Sequence, residues 1–131
     1  DTVSSTDYLG IDGIDYDEAV KIKTSLQEKV YFDFDKSALT DSTKEVLSKY
    51  VEESKKASII RLEGHCDERG TREYNLALGE KRAIEVKNYL IIQGVPSSKI
   101  KIISYGEEKP ISFGSTEDDW KQNRRVEIAL F

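Results

Sequence analysis

From Arg72 to Gln93, Leu76, Gly79, Ala83, Val86 and Leu90 recur at alternating steps of three and four, the stripe of a single buried helix face. Glu73 suits the positive end of that helix, and Gly94 followed by Pro96 stops it, so the spacing predicts one long helix over Arg72–Gln93. A helix with one apolar stripe has to lie against another layer. Strand signals flank it: Ser58–Glu63 (SIIRLE) alternates up to Gly64 and a polar loop, His65–Gly70, and beyond Pro96 Ile100, Ile102 and Ser104 alternate with Lys101, Ile103 and Tyr105 as far as Gly106. The centre of the chain therefore reads as strand, helix, strand.

The flanks extend this order. Val30-Tyr31-Phe32-Asp33-Phe34 is aromatic and β-branched and predicts a strand ending at or near Asp35. Ser42 with Glu45 three residues later forms a capping-box pattern ahead of Val46, Leu47, Tyr50 and Val51, which predicts a helix over Asp41–Lys56. Val126, Ile128 and Leu130 mark a last strand, after a loop containing Trp120. The expected fold is α+β with two layers: a four-stranded mixed sheet and two main helices in the order β-α-β-α-β-β. The strand-helix-strand units favour parallel neighbours joined by right-handed crossovers.

At 131 residues the chain has the size of one ordinary domain. Six of the eighteen residues Asp1–Glu18 are acidic and none is Lys or Arg; against a net charge of −5, the remainder is near +1. Residues 1–28 read as an acidic, flexible lead-in, with a short helix over Asp17–Lys29 suggested by Ala19, Ile22 and Leu26, and residues 29–131 as the folded domain. A nearly neutral body argues against nucleic acid as partner. No stretch approaches the roughly 20 apolar residues of a membrane span, and the start lacks the pattern of a signal peptide, so the chain reads as a processed, soluble piece.

Reactive side chains are densest in the loop Gly64-His65-Cys66-Asp67-Glu68-Arg69-Gly70-Thr71, between a strand and a helix start. A thiol nucleophile needs a base within reach, but the only histidine is the cysteine's sequence neighbour, and neighbours on an extended chain point apart. A metal centre needs about three or four ligands, where the chain offers one Cys and one His. Cys66 is then a small gap-filling residue and His65 a hydrogen-bonded strand end. Asn75 and Arg82 share one helical stripe two turns apart, and Arg82, leaning toward the N-terminus, is directed back toward the loop bearing Asp67. Spacing leaves two readings open: a charged pocket, or a solvated face with an ordinary ion pair. Arg124 falls in phase with Val126, Ile128 and Leu130, where a charge requires either a core acid or an anionic ligand.

Four ordered motifs, VYFDFDKSAL, GHCDERGTREYNLALGEKRAIEV, SYGEEKP and NRRVEI, resemble those of the OmpA-like C-terminal domain family, and in combination they are most similar to its peptidoglycan-associated lipoprotein branch. The resemblance implies a binder that is not an enzyme, has no cofactor or metal, and holds the diaminopimelate residue of the peptidoglycan stem peptide. It implies Asp67 for the ligand's ammonium and Arg82 for its carboxylate, with Asn75 and Arg124 at further polar positions. Phe34 and Asp35 shape the pocket from the strand end, and Arg69, Thr71 and Leu78 line it.

By the same resemblance the domain tethers the outer membrane to the wall on its periplasmic face, through an N-terminal lipid anchor on a cysteine that this chain lacks. Its partners would be Tol proteins, TolB in particular. The same module occurs at the tail of outer-membrane barrels and in flagellar stator proteins, which is the alternative context. Three features depart from the family pattern: Arg72 where Pro is frequent, Cys66 where a small or hydroxyl residue is common, and the acidic segment before Val30.

Overall fold

A computed structural model describes residues 26–131. In chain order the elements are β1 (Leu26–Tyr31), α1 (Asp41–Ser48), α2 (Val51–Lys56), β2 (Ile60–His65), α3 (Arg72–Ile92), β3 (Ile100–Gly106), α4 (Glu117–Asn123) and β4 (Arg125–Leu130), with one 3-10 turn at Ser97–Lys99. The expected α+β class, four-stranded mixed sheet and long second helix are all present.

The strand order is β1-β4-β2-β3. β2 and β3 are parallel neighbours, as expected for a strand-helix-strand unit. The first unit differs: β1 and β2 run in the same direction, but β4 lies between them and is antiparallel to both. The last strand thereby gains two antiparallel ladders in the centre of the sheet, the slightly more stable pairing. Its core-facing residues Val126, Ile128 and Leu130 are shielded from both sides.

β1 starts earlier than its sequence pattern suggests. Leu26–Lys29, read as the end of a helix within the lead-in, belongs to the strand, while residues 17–25 lie outside the described part. β1 is an edge strand, and Glu28 sits on the same side as buried Val30, so the apolar alternation is broken at its start. It also ends at Tyr31, short of Asp35, although the Phe32 amide still donates to the Arg124 carbonyl at 2.9 Å.

The helix expected over Asp41–Lys56 is two helices. α1 closes with i→i−3 bonds from Lys49 and Tyr50, and Tyr50 leaves helical geometry with its hydroxyl donating to Glu28 of β1 at 2.6 Å. The cap of α1 is Thr40, whose side chain accepts from the Thr43 amide, rather than Ser42. α4 falls where the sequence suggested a loop, and Thr116 and Asp119 form its capping box.

α3 lies on β2 and β3, and its Ala83, Val86 and Leu90 join Leu47, Ile60, Leu62, Ile100, Val126 and Ile128 in one core. Toward the C-terminal end of β2 the helix comes closer still. A Cβ on Gly64 would fall inside the carbonyl of Gly79, and one on Gly79 would overlap the Ser104 hydroxyl. Two glycines therefore let helix and strand touch along their backbones, directly beside the loop that follows β2.

Candidate functional site

That close approach places Asn75, Leu78 and Arg82, all buried, against the end of β2. The loop after β2 is fixed from three directions. The Cys66 amide donates to the Gly106 carbonyl at 2.9 Å. The Asn75 side-chain nitrogen donates to the Arg69 carbonyl at 3.0 Å and to Glu107 at 2.5 Å, and approaches the Asp67 carbonyl at 3.4 Å. Thr71 caps α3 by accepting from the Tyr74 amide at 3.1 Å.

A cleft of about 280 Å³ opens between this loop, the first half of α3 and the turn after β1. Of the expected residues, Phe34, Asp35, Asp67, Arg69, Asn75, Leu78 and Arg82 line it. Thr71 and Arg124 are not on its wall: Thr71 faces solvent as the helix cap, and Arg124 approaches Asp67 from the side of a neighbouring groove along β1. Cys66, Gly70 and Tyr74 complete the lining. Tyr74, exposed on the first turn of α3, donates its hydroxyl to Asp35. Asp35 has φ 57°, a left-handed conformation that Asp tolerates better than most residues and that turns the chain at the rim of the cleft.

Arg82 is 1% exposed. Its Nε donates to the Lys36 carbonyl at 2.8 Å, and its two terminal nitrogens donate to the carbonyls of His65 at 2.9 Å and Asp33 at 3.1 Å. One further N–H remains on each terminal nitrogen. Among the described residues no carboxylate comes within ion-pair distance of it. Burial pulls its pKa down, opposed by the charges of Asp67 and Asp35. A guanidinium held by neutral carbonyls at the wall of a cleft is chemically able to take an anion.

Asp67 is 4% exposed and differently placed. Its Oδ1 accepts from the Arg69 amide at 3.0 Å and Nε at 3.1 Å, and its Oδ2 from an Arg69 terminal nitrogen at 2.8 Å, with Arg124 at 3.5 Å. Burial opposes its charge, but these bonds outweigh it and hold the carboxyl below the usual range, so Asp67 is anionic at neutral pH. Arg124 also donates to the Phe32 carbonyl at 2.8 Å and to Glu117 at 2.9 Å. It is the C-cap of α4 rather than a residue of β4, so its phase with the strand does not set its direction.

The thiol and metal readings meet specific obstacles. The Cys66 thiol donates to the Asn75 carbonyl at 3.2 Å, and burial pushes its pKa up to about 11. His65 faces the other side of the sheet, stacked on Tyr105 with ring centroids 5.5 Å apart. Its Nε2 pairs with the Glu63 carboxylate at 3.5 Å, a long contact, and Nδ1 has no hydrogen-bond partner among the described residues. Glu63, His65 and Glu127 bring ligand-type atoms within 4.8 Å of one another. Both carboxylates, however, are already bridged by arginines, Glu63 by Arg61 at 2.9 Å and Glu127 by Arg125 at 2.6 Å, which makes the group a buried ion-pair network.

Residues 31–124, which include every wall of the cleft, match the OmpA family. This chain belongs to the OmpA family. Among OmpA-family relatives, the peptidoglycan-associated lipoprotein of Pseudomonas putida is 46% identical over 99 residues, covering 75% of this chain and 60% of that protein. The one from Brucella melitensis is 40% identical over 105 residues, covering 79% and 62%. The crystal structure of the peptidoglycan-associated lipoprotein from Burkholderia pseudomallei aligns with a TM-score of 0.75 at 40% identity, covering 79% of this chain and 89% of that one. The matched part thus spans about 60% of the length of these curated relatives. The motif resemblance and the OmpA-family match agree over the strand end, the charged loop and α3.

Proposed function

We propose that the cleft binds peptidoglycan non-covalently by holding the end of a diaminopimelate side chain, which carries an ammonium and a carboxylate. The observation that carries this reading is Arg82: a buried guanidinium on the cleft wall, oriented by three carbonyls, with one N–H left on each terminal nitrogen. Two remaining donors on one planar guanidinium suit the two oxygens of a carboxylate, which a lysine would not reproduce. Asp67 supplies the negative charge for the ammonium. Its Oδ2, which takes a single short bond from Arg69, is the oxygen left to share. Asn75 holds the loop in place, Leu78 offers the apolar wall for the ligand's methylenes, and Phe34 and Asp35 form the rim.

The name of the relatives, peptidoglycan-associated lipoprotein, supports the choice of peptidoglycan. On this reading the protein acts as a tether and carries out no chemistry. Cys66 remains a protonated thiol at neutral pH, donating to the Asn75 carbonyl, and no base among the described residues is hydrogen-bonded to it. We further propose that the domain links the outer membrane to the wall from its periplasmic face, anchored by a lipid outside this sequence. Within a Tol-Pal type system, Tol proteins, TolB among them, would be its protein partners.

Sedimentation with purified sacculi tests the binding. Wild-type chain is expected in the pellet, and Asp67→Asn and Arg82→Lys, which preserve side-chain size or charge, in the supernatant. Truncating one side of a buried charge pair costs about 2–5 kcal/mol, against about 8 kcal/mol for a micromolar complex. Co-sedimentation of both variants at the wild-type level would contradict the assignment.

A further inference from the structure

We infer that Trp120 is a positioning residue for this site, acting on Asp67 through Arg69. The inference rests on the reading of Asp67 as the ligand's anionic partner. Arg69 is sandwiched between two rings, with its guanidinium carbon 3.8 Å from the Phe34 centroid and 3.9 Å from that of Trp120. Both distances are well within the roughly 6 Å over which a cation is attracted to a ring face. Between those faces the guanidinium plane has one orientation, and in it Nε and a terminal nitrogen meet both oxygens of Asp67. Phe34 is part of the cleft wall; Trp120 is not, so its influence on the ligand passes through Arg69.

The fold fixes Trp120 from several sides. Its indole N–H donates to Glu68 at 3.0 Å, which sets the ring's rotation. The capping box of Thr116 and Asp119 starts α4. At the other end, the Asn123 side chain accepts from the amides of Ile111 and Ser112 at 2.8 and 3.1 Å and donates to the Ser112 carbonyl at 2.8 Å. α4 also delivers Arg124 to the same carboxylate, 3.5 Å from Oδ2. The helix that sequence patterning missed thus supplies two of the groups around Asp67, Arg124 directly and Trp120 through Arg69.

Arg69 is 30% exposed with the indole in place and would be more so without it, and exposed pairs hold their geometry poorly. Asp67, at 4% exposure, takes two of its three bonds from that guanidinium, the third coming from the Arg69 amide.

The test uses the 131-residue chain with Trp120→Leu and Trp120→Tyr. Two quantities are read: the NMR signal of the Arg69 Nε–H, identified by its loss in Arg69→Gln, and the calorimetric affinity for a diaminopimelate-containing tripeptide. Trp120→Leu should lose the exchange protection of that signal and bind about tenfold more weakly, which is about 1.4 kcal/mol. Trp120→Tyr, which restores a ring face, should recover both. Wild-type affinity in Trp120→Leu, or weakened binding with the Arg69 signal intact, would overturn the inference. If the wild-type chain fails to bind the tripeptide, the ligand reading fails, and the Arg69 signal in the two variants still decides whether Trp120 positions Arg69.

Discussion

Arg82 of α3 donates to the main-chain carbonyl of His65 at the end of β2, 2.9 Å away. The same guanidinium reaches the carbonyls of Asp33 and Lys36 in the turn after β1, so one side chain ties together the elements that bound the cleft. Arg82→Met should leave those carbonyls unsatisfied and lower the unfolding free energy by about 3 kcal/mol. Arg82→Lys retains the charge and should lose less stability, while still binding a carboxylate ligand at least about tenfold more weakly. Urea denaturation and calorimetry on the same two variants separate the structural role from the binding role.

Gly64→Ala places a methyl group inside the Gly79 carbonyl, and no rotamer change relieves that overlap. A loss of about 1–3 kcal/mol is expected. Because α3 must move away from β2, affinity for the stem peptide should fall as well. Wild-type stability in urea would show that helix and strand are not in this contact.

His65 is the chain's only histidine, so its titration gives a single imidazole NMR signal. Burial depresses its pKa, assisted by Arg125 and opposed by Glu63 and Glu127. The midpoint should lie below 6.5. Between the folded and unfolded values the unfolded chain binds more protons, so this contribution to stability is complete above about pH 6.5 and is lost as pH falls through that window. Urea midpoints at pH 5 and pH 7.5 should differ in that direction, and the difference should shrink in His65→Gln.

Cys66 is likewise the only cysteine, 3% exposed, with a thiol pKa of about 11. Iodoacetamide at pH 7.5 should alkylate the native chain about a hundredfold more slowly than the urea-unfolded one. Cys66→Ser, which can still donate to the Asn75 carbonyl, should bind sacculi normally. Rapid native alkylation accompanied by loss of an activity on wall fragments would instead support thiol chemistry.

The sequence announces α3 because its stripe is long and its stop explicit, and it announces the charged loop because reactive residues crowd there. Edge strand β1 was illegible at its start because Glu28 takes the inward phase shared with Val30, where the apolar alternation needs an apolar residue. The break between α1 and α2 depends on Tyr50 reaching Glu28, a long-range contact that local spacing does not encode. α4 did leave a signal, Thr116 with Asp119 three residues on, obscured by the brevity of the helix. Arg124 could be recognised as a charge needing a partner, but its partners Glu117 and Asp67 follow from the turn between α4 and β4.

The most direct test of the account is a calorimetric comparison of two stem tripeptides that differ only at the third residue, diaminopimelate or lysine. On the proposed reading both offer a distal ammonium to Asp67, and only the first has a carboxylate for Arg82. The account predicts micromolar binding of the diaminopimelate peptide and at least about tenfold weaker binding of the lysine peptide, with the difference abolished in Arg82→Lys. Equal affinity of the wild-type chain for the two peptides would contradict it.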